Sequence, residues 1–309
     1  MVKFPKLKSK AILSPMAGVT DVAFRTLARK YGAALTYTEF VNSIALTSGN
    51  ENTEKMLITN SSEKPVAVQL FGSSVNDIIE AAKKVEDRFD IIDVNCGCPA
   101  WKVIKTGAGS EMLKNPDKIS KFVNKLASSV SKPITVKIRT GIDEHNINAV
   151  EVAKKIEDAG AAAIAIHGRT QKQGYSGKAD WNIIKEVKNS VNIPVIGNGD
   201  VFTVEDFVKR KDDVDAIMIA RGAIGNPAIF QQIQDYIKNG SYESKDKLEQ
   251  FSEYLELAKK YDIPFSTIKT HAISFTKGLQ SGAQLREKLS KSKSLNILKD
   301  NIKSFSLPY

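Results

Sequence analysis

Two thiols, Cys96 and Cys98, stand one residue apart in Asp93-Val94-Asn95-Cys96-Gly97-Cys98-Pro99, directly after the apolar pair Ile91-Ile92. This run puts Cys98 where a buried strand emerges into a loop, between a glycine that lets the backbone approach a ligand and a proline that stiffens the exit. A free thiol with an ordinary pKa of about 8.5 is mostly protonated at neutral pH, so a rigidly held cysteine can serve as a general acid. An isolated buried cysteine is more often a small core hydrophobe. Alternation along the strand turns Cys96 away from Asn95, and it is read as packing. A metal held by the pair has little support, because the three histidines, His145, His167 and His271, are scattered without ligand spacing. Lys137, in Val136-Lys137-Ile138-Arg139, stands where a buried strand normally holds an aliphatic residue. Burying an unpaired ammonium is expensive, so it should face a ligand anion unless its stem carries the charge out of the strand end.

These residues need elements to position them. Short β-rich runs recur at Ala11–Leu13, Leu35–Phe40, Val66–Phe71, Ile91–Asn95, Ile134–Arg139, Ala163–His167, Pro194–Asn198 and Ala216–Ala220. Segments with helical spacing separate several of them, such as Ile119, Phe122, Val123 and Leu126 after the N-cap pair Asn115-Pro116. The segment Ala149–Asp158 closes with Gly160, and Thr203 with Asp206 forms a capping-box pattern. Strand then helix, repeated, implies parallel pairing, which a closed barrel and a doubly wound open sheet both satisfy. The polar residues decide between them. Asn95, Lys137 with Arg139, His167 with Arg169, and Asn198 with Asp200 all fall at carboxyl ends of strands. In an eight-stranded (β/α)8 TIM barrel those ends converge on one mouth, whereas an open sheet shares a site only at its switch point.

The chain has 309 residues, 42% of them hydrophobic, which suits one α/β barrel of roughly 250 residues plus an appendage. Past about Gly240 the strands stop. Leu248, Phe251, Leu255 and Ala258 mark one amphipathic helix, and Ile268, Ala272, Phe275 and Leu279 a second. Leu285 with Leu289, then Leu298, Ile302 and Phe305, mark two more, joined by the polar stretch Ser290–Ser294. The expected division is therefore a barrel over 1–240 and a small C-terminal helical bundle over 241–309. The formal charge of +10 favours a polyanionic partner, and the stretch from Lys245 onward carries twelve basic against seven acidic residues. Such lysines also merely solvate helix surfaces. Two cysteines so close cannot build a disulfide framework, and no apolar run approaches the ~18 residues of a membrane helix. A soluble cytoplasmic protein is expected, with its oligomeric state open.

The run around Cys98, together with Pro15-Met16-Ala17-Gly18-Val19-Thr20-Asp21 and His167-Gly168-Arg169-Thr170, resembles the tRNA-dihydrouridine synthases. The likeness continues through Gly174-Tyr175-Ser176-Gly177 and Ala179-Asp180-Trp181, and more loosely through Lys269-Thr270-His271, Phe275, Gly278 and Arg286. It implies FMN-dependent reduction of the C5–C6 bond of a uridine in tRNA, with NADPH as electron donor and the helical tail as tRNA platform. In this resemblance Cys98 protonates C5 as hydride reaches C6. Lys137 approaches the flavin ring and stabilises its anionic reduced form, while His167 contacts the flavin and borders the substrate. Pro15, Met16, Ala17 and Gln69 complete the cofactor shell, Gln69 offering both donor and acceptor to the pyrimidine edge. The flavin phosphate is expected at Asn198-Gly199-Asp200 and at Ala220-Arg221, in the loops after strands seven and eight. Asn95, Arg139 and Arg169 are placed on the substrate side, Arg169 through its planar fork for phosphate. No Gly-x-Gly-x-x-Gly follows a strand, so NADPH would visit the flavin face only transiently. The chain departs from the family at Ala220 and Gly222, where Gly-Arg-Ala is usual, and at Glu111 and Ala228. The competing readings are a small-molecule pyrimidine or dihydroorotate oxidoreductase on the same barrel, and a barrel that binds RNA without catalysis.

Overall fold

Short, near-continuous apolar runs, buried on both faces, form eight strands: β1 (Ala11–Leu13), β2 (Thr36–Asn42), β3 (Val66–Phe71), β4 (Ile91–Cys96), β5 (Ile134–Arg139), β6 (Ala163–His167), β7 (Val195–Asn198) and β8 (Ala216–Ile219). The computed structural model describes residues 2–306, so Met1 and the last three positions of the expected tail lie outside it. Every ladder is parallel, in the order β1-β8-β7-β6-β5-β4-β3-β2. The ring closes where Leu13 N donates to Leu35 O at 3.0 Å and Ala34 N to Ala11 O at 2.8 Å. Helices lie between successive strands, which makes the molecule a (β/α)8 barrel. The second strand begins one residue later than expected and runs on to Asn42, because its pairing with β3 shifts register between Tyr37 and Phe40. That irregularity re-aims the residues that leave the strand toward the mouth.

The strand pattern has two inward layers of opposite character. Ile12, Leu35, Tyr37, Ala67, Ile91, Ala163 and Ala165 pack with one another at the floor of the barrel. The inward positions that follow in the same parity are polar: Gln69 on β3, Asp93 and Asn95 on β4, Lys137 and Arg139 on β5, His167 on β6 and Asn198 on β7. Register aligns Asn95 with Lys137, Arg139 with His167, and His167 with Asn198. The outward faces, including Cys96, pack against the helices.

Local signals behave as their chemistry requires. Asn115 accepts from Lys118 N at 2.9 Å and starts the helix Pro116–Ala127, and Thr203 with Asp206 completes a capping box.

The tail forms four helices, Lys247–Lys260, Phe265–Phe275, Gly282–Lys291 and Leu295–Ser306; Leu279 falls in the turn between the second and third. It docks on the helix Val22–Lys30 through Asp21. One carboxylate oxygen of Asp21 caps that helix at Phe24 N, 3.0 Å, and the other meets the Tyr254 hydroxyl at 3.1 Å and His271 Nε2 at 3.0 Å. The His271 ring stacks on Phe24 at 5.0 Å. Gly225, at φ +72°, passes so close to the second tail helix that a Cβ would sit 2.3 Å from Ser274 O; only glycine fits there. Among the described residues no helix is long and apolar enough to cross a membrane.

Candidate active site at the barrel mouth

The carboxyl ends of the strands enclose a cavity of about 520 Å³, within the range of small-molecule and cofactor sites. Pro15, Met16, Ala17, Gln69, Asn95, Cys98, Lys137, Arg139, His167, Asn198, Gly199, Asp200, Ala220 and Arg221 all line it. Met16, Val19, Phe40, Met218 and Ile224 supply apolar wall.

The loop bearing Cys98 is clamped from three sides. Asn95 Oδ1 accepts from Gly97 N at 3.1 Å and from Cys98 N at 2.8 Å. Ser110 donates to Cys98 O through both its amide, 3.1 Å, and its hydroxyl, 2.9 Å, while Arg139 Nε donates to Gly97 O at 2.9 Å. Because the two amides can only donate, the orientation of Asn95 is forced, and with it a directed chain. Asn95 Nδ2 donates to Gln69 Oε1 at 2.8 Å, and Gln69 Nε2 donates to the buried carboxylate of Asp93 at 2.6 Å. Thr135 donates its hydroxyl to the other Asp93 oxygen. Cys98 itself is partly exposed, whereas Cys96 is buried with its sulfur 3.6 Å from Met112 Sδ, and burial pushes its thiol far up. The two thiols thus differ in access: one faces the cavity and the other is core.

Positive charge is massed here, and of the lining cations only Arg221 has an ion-pair partner among the described residues. Lys137 Nζ donates to Asn198 Oδ1 at 3.2 Å, and burial, then repulsion from Arg139, push it down to about 8. Arg139 Nη1 donates to the carbonyls of Thr170 at 2.7 Å and Gly174 at 2.9 Å. The Arg221 guanidinium lies 5.1 Å from the Tyr175 ring centre and 5.0 Å from that of Phe202. Burial, with Lys137, Arg139, Arg169 and Arg221 around it, pushes His167 down to about 2, so the imidazole is neutral at physiological pH. Arg169 Nη1 is 3.4 Å from His167 Nε2; a guanidinium only donates, so Nε2 accepts and the ring proton sits on Nδ1. The single buried carboxylate beneath, Asp93, is raised by burial to about 6 despite Thr135, Gln69 and Lys137.

The structure separates residues that looked alike in sequence. Arg169 is only 2% exposed and does not line the cavity. Its guanidinium is committed to Ser176 O, Gly177 O and Asp200, and it lines a neighbouring basic pocket with Lys178, Lys209 and Arg210. Asp200 is the clasp between Arg169, 2.8 Å, and Arg221, 3.0 Å, and it also accepts from Ala179 N. Its carboxylate therefore holds cations rather than presenting itself to a phosphate. Asn95 spends its side chain on Gln69 and on the Cys98 loop. Gln69, which lines the cavity, accepts from Asn95 at one end of its amide and donates to Asp93 at the other. Sequence reasoning passed over Asp93 and Tyr175. For Asp93 the signal was a carboxylate two residues before Asn95 in an otherwise apolar strand; Tyr175 lay in a quoted motif without a role.

The donor set suits a flat anionic ligand. Gly199, at φ +135°, brings the β7 loop against Ala179 and His167, where a Cβ would lie 2.5 Å from the Ala179 methyl. The short helical turn Arg221–Ala223 begins at the same rim, where Ala220 and Arg221 line the cavity. Among the described residues no cluster of His, Cys, Asp and Glu could hold a metal.

A family described as dihydrouridine synthase matches residues 12–306. The tRNA-dihydrouridine synthase B of Shewanella oneidensis is 40% identical over 263 residues, covering 84% of this chain and 82% of that protein. A probable tRNA-dihydrouridine synthase of Rickettsia conorii is 38% identical, covering 91% of this chain and 88% of its own. Among solved structures, an old yellow enzyme homologue from Zymomonas mobilis aligns with TM-score 0.56 at 12% identity, over 84% of this chain and 96% of that one. Histamine dehydrogenase from Rhizobium sp. 4-9 aligns with TM-score 0.58 at 14% identity, over 81% and 49%. These two likenesses concern the barrel fold alone.

Proposed function

This chain belongs to the dihydrouridine synthase family, and on that premise we propose that it reduces the C5–C6 bond of a uridine in tRNA with FMN as cofactor and NADPH as donor. When bound, the flavin supplies the hydride. The protein contributes position, charge and a proton. Lys137 and Arg221 supply positive charge for the cofactor's ring and phosphate, and neutral His167 accepts no further charge beside them. The uridine leaves its stack to enter the mouth, where Arg139 holds the loop across from it and Cys98 donates the proton to C5.

The observation that carries this reading is the clamped Cys98 loop: a partly exposed thiol fixed by five hydrogen bonds to its own loop, facing a cationic cavity. General-acid catalysis needs its proton donor well placed, and these bonds fix the backbone that carries the thiol. The basic helical tail, docked through Asp21, supports a tRNA-binding role for residues beyond 240. The cytoplasm, where tRNA resides and thiols stay reduced, is the compartment this activity requires.

The test is direct. Purified protein is incubated with NADPH and unmodified tRNA, and dihydrouridine is quantified. Cys98→Ala should keep the yellow flavin spectrum and lose about 10²- to 10⁴-fold in product formation; full activity in that variant would remove Cys98 from the acid role. Turnover of free pyrimidines alone would return the site to a small-molecule reductase, a reading the family assignment does not favour.

A further inference from the structure

The loop that carries Cys98 continues into the short turn Trp101–Ile104. Val103 turns inward and packs beside Gly109, where a Cβ would lie 2.8 Å from Val103 Cγ1. Trp101 turns outward and is 72% exposed, the most exposed large apolar side chain among the described residues. Among those residues its ring takes part in no stacking or cation–π pair, unlike Trp181, which carries Arg210 at 5.1 Å. Lys102 and Lys105, also exposed, flank it. Pro99 and Ala100, its immediate predecessors, line the cavity itself. An indole left in water costs free energy that folding does not recover, and here it is held on an anchored turn beside the acid rather than on a loose end.

We propose that Trp101 is a stacking platform for an unpaired nucleobase of the tRNA next to the target uridine, with Lys102 and Lys105 taking the adjoining phosphates. A nucleic acid occupant fits the combination of a bare π-face with two ammonium groups, whereas an apolar protein partner would not call for the lysines. The position also fits: a uridine drawn out of its stack leaves its neighbours without a partner face, and Trp101 stands on the rim through which that uridine must pass. On this account Trp101 is a substrate-binding residue that raises affinity for tRNA and leaves the chemical step alone. The inference rests on the tRNA reading of the site.

The protein itself supplies the probe. It has two tryptophans, and Trp181 is 5% exposed beneath Gly199, so solvent-exposed indole emission reports Trp101. Titrating the flavin-loaded protein with unmodified tRNA should quench that emission. Trp101→Ala should lose the quenching and raise KM for tRNA roughly 5- to 150-fold, the worth of one stacked base. kcat at saturating tRNA and flavin reduction by NADPH without tRNA should be unchanged, and Trp101→Phe should recover most of the affinity. Unquenched emission together with a wild-type KM in Trp101→Ala would overturn the platform while dihydrouridine formation persists. A protein that forms no dihydrouridine at all would overturn the tRNA reading and the platform with it.

Discussion

The barrel mouth and the seam between barrel and tail both bury charge, and they handle it in opposite ways. At the seam both carboxylates, Glu253 and Asp21, are fully partnered. Glu253 bonds Lys245, Lys30 and the Tyr31 hydroxyl, and although burial opposes ionisation, those partners hold its carboxyl down to about 2. Asp21 is saturated by a helix amide, a phenol and an imidazole. At the mouth Lys137 and Arg139, which have no ion pair among the described residues, crowd a neutral histidine; Arg221 shares Asp200 with Arg169, and the buried carboxylate, Asp93, is spent on Gln69 and Thr135. Compensated charge welds the two parts of the fold, and uncompensated charge awaits a ligand. Paired burial is close to neutral for stability, whereas like charges held together cost stability that a bound anion returns.

Substitution at the mouth should therefore damage function and at the seam stability. The largest effect is expected from Lys137→Met, which removes the ammonium from the cavity: reduction of the bound flavin by NADPH, followed by stopped-flow absorbance, should slow by about 10²-fold. The same variant without flavin should melt no lower than the parent at neutral pH. A large loss of thermal stability there would place Lys137 with the compensated charges and erase the contrast.

Asp21→Ala removes a cap and two tail contacts at once, and should cost about 2–4 kcal/mol in denaturant unfolding while leaving the flavin spectrum unchanged. A shifted flavin spectrum would mean that the seam reaches into the site.

Acid response distinguishes the regions again. His167 is driven below its ordinary value, so between pH 6.5 and about 2 the unfolded chain binds the proton that the folded chain refuses, and stability falls as pH falls through that window. His167→Asn should lose less stability than the parent between pH 6.5 and 5, by on the order of 1–2 kcal/mol. Parallel pH curves for the two proteins would contradict a neutral, cation-crowded histidine.

The smallest effect is expected from Glu253→Gln, whose lysine partners are substantially solvated. About 0.5–1 kcal/mol should be lost in low salt and less at 1 M, read from urea midpoints. A salt-independent loss above about 3 kcal/mol would mark that pair as buried in effect.

Much of this contrast was legible in the chain. Eight apolar runs of strand length, with polar residues at their carboxyl ends, carried the barrel and the composition of its mouth, because period-two alternation and strand-end placement are local properties. Lys137 stood out by being out of place in an apolar run. Other assignments depended on contacts no spacing encodes. Arg139 ends its strand and Arg169 stands two residues past the end of its own, and the two look equivalent in sequence, yet Arg139 faces the cavity while Asp200, thirty-one residues beyond Arg169, draws that side chain into the neighbouring pocket. Asn95 lines the cavity as its strand-end position implies, and the fold adds that its oxygen accepts from the Gly97 and Cys98 amides.

Which residues alternate inward, and where strands end to within a residue or two, is written in the pleat of single segments. Which charges find a partner is settled by contacts made on folding. Ion pairing joins Arg169 to Asp200 and Lys30 to Glu253, pairs that become neighbours only when the barrel closes and the tail docks. The electrostatic free energy that distinguishes a weld from a binding site falls off with distance in space and takes no account of separation along the chain.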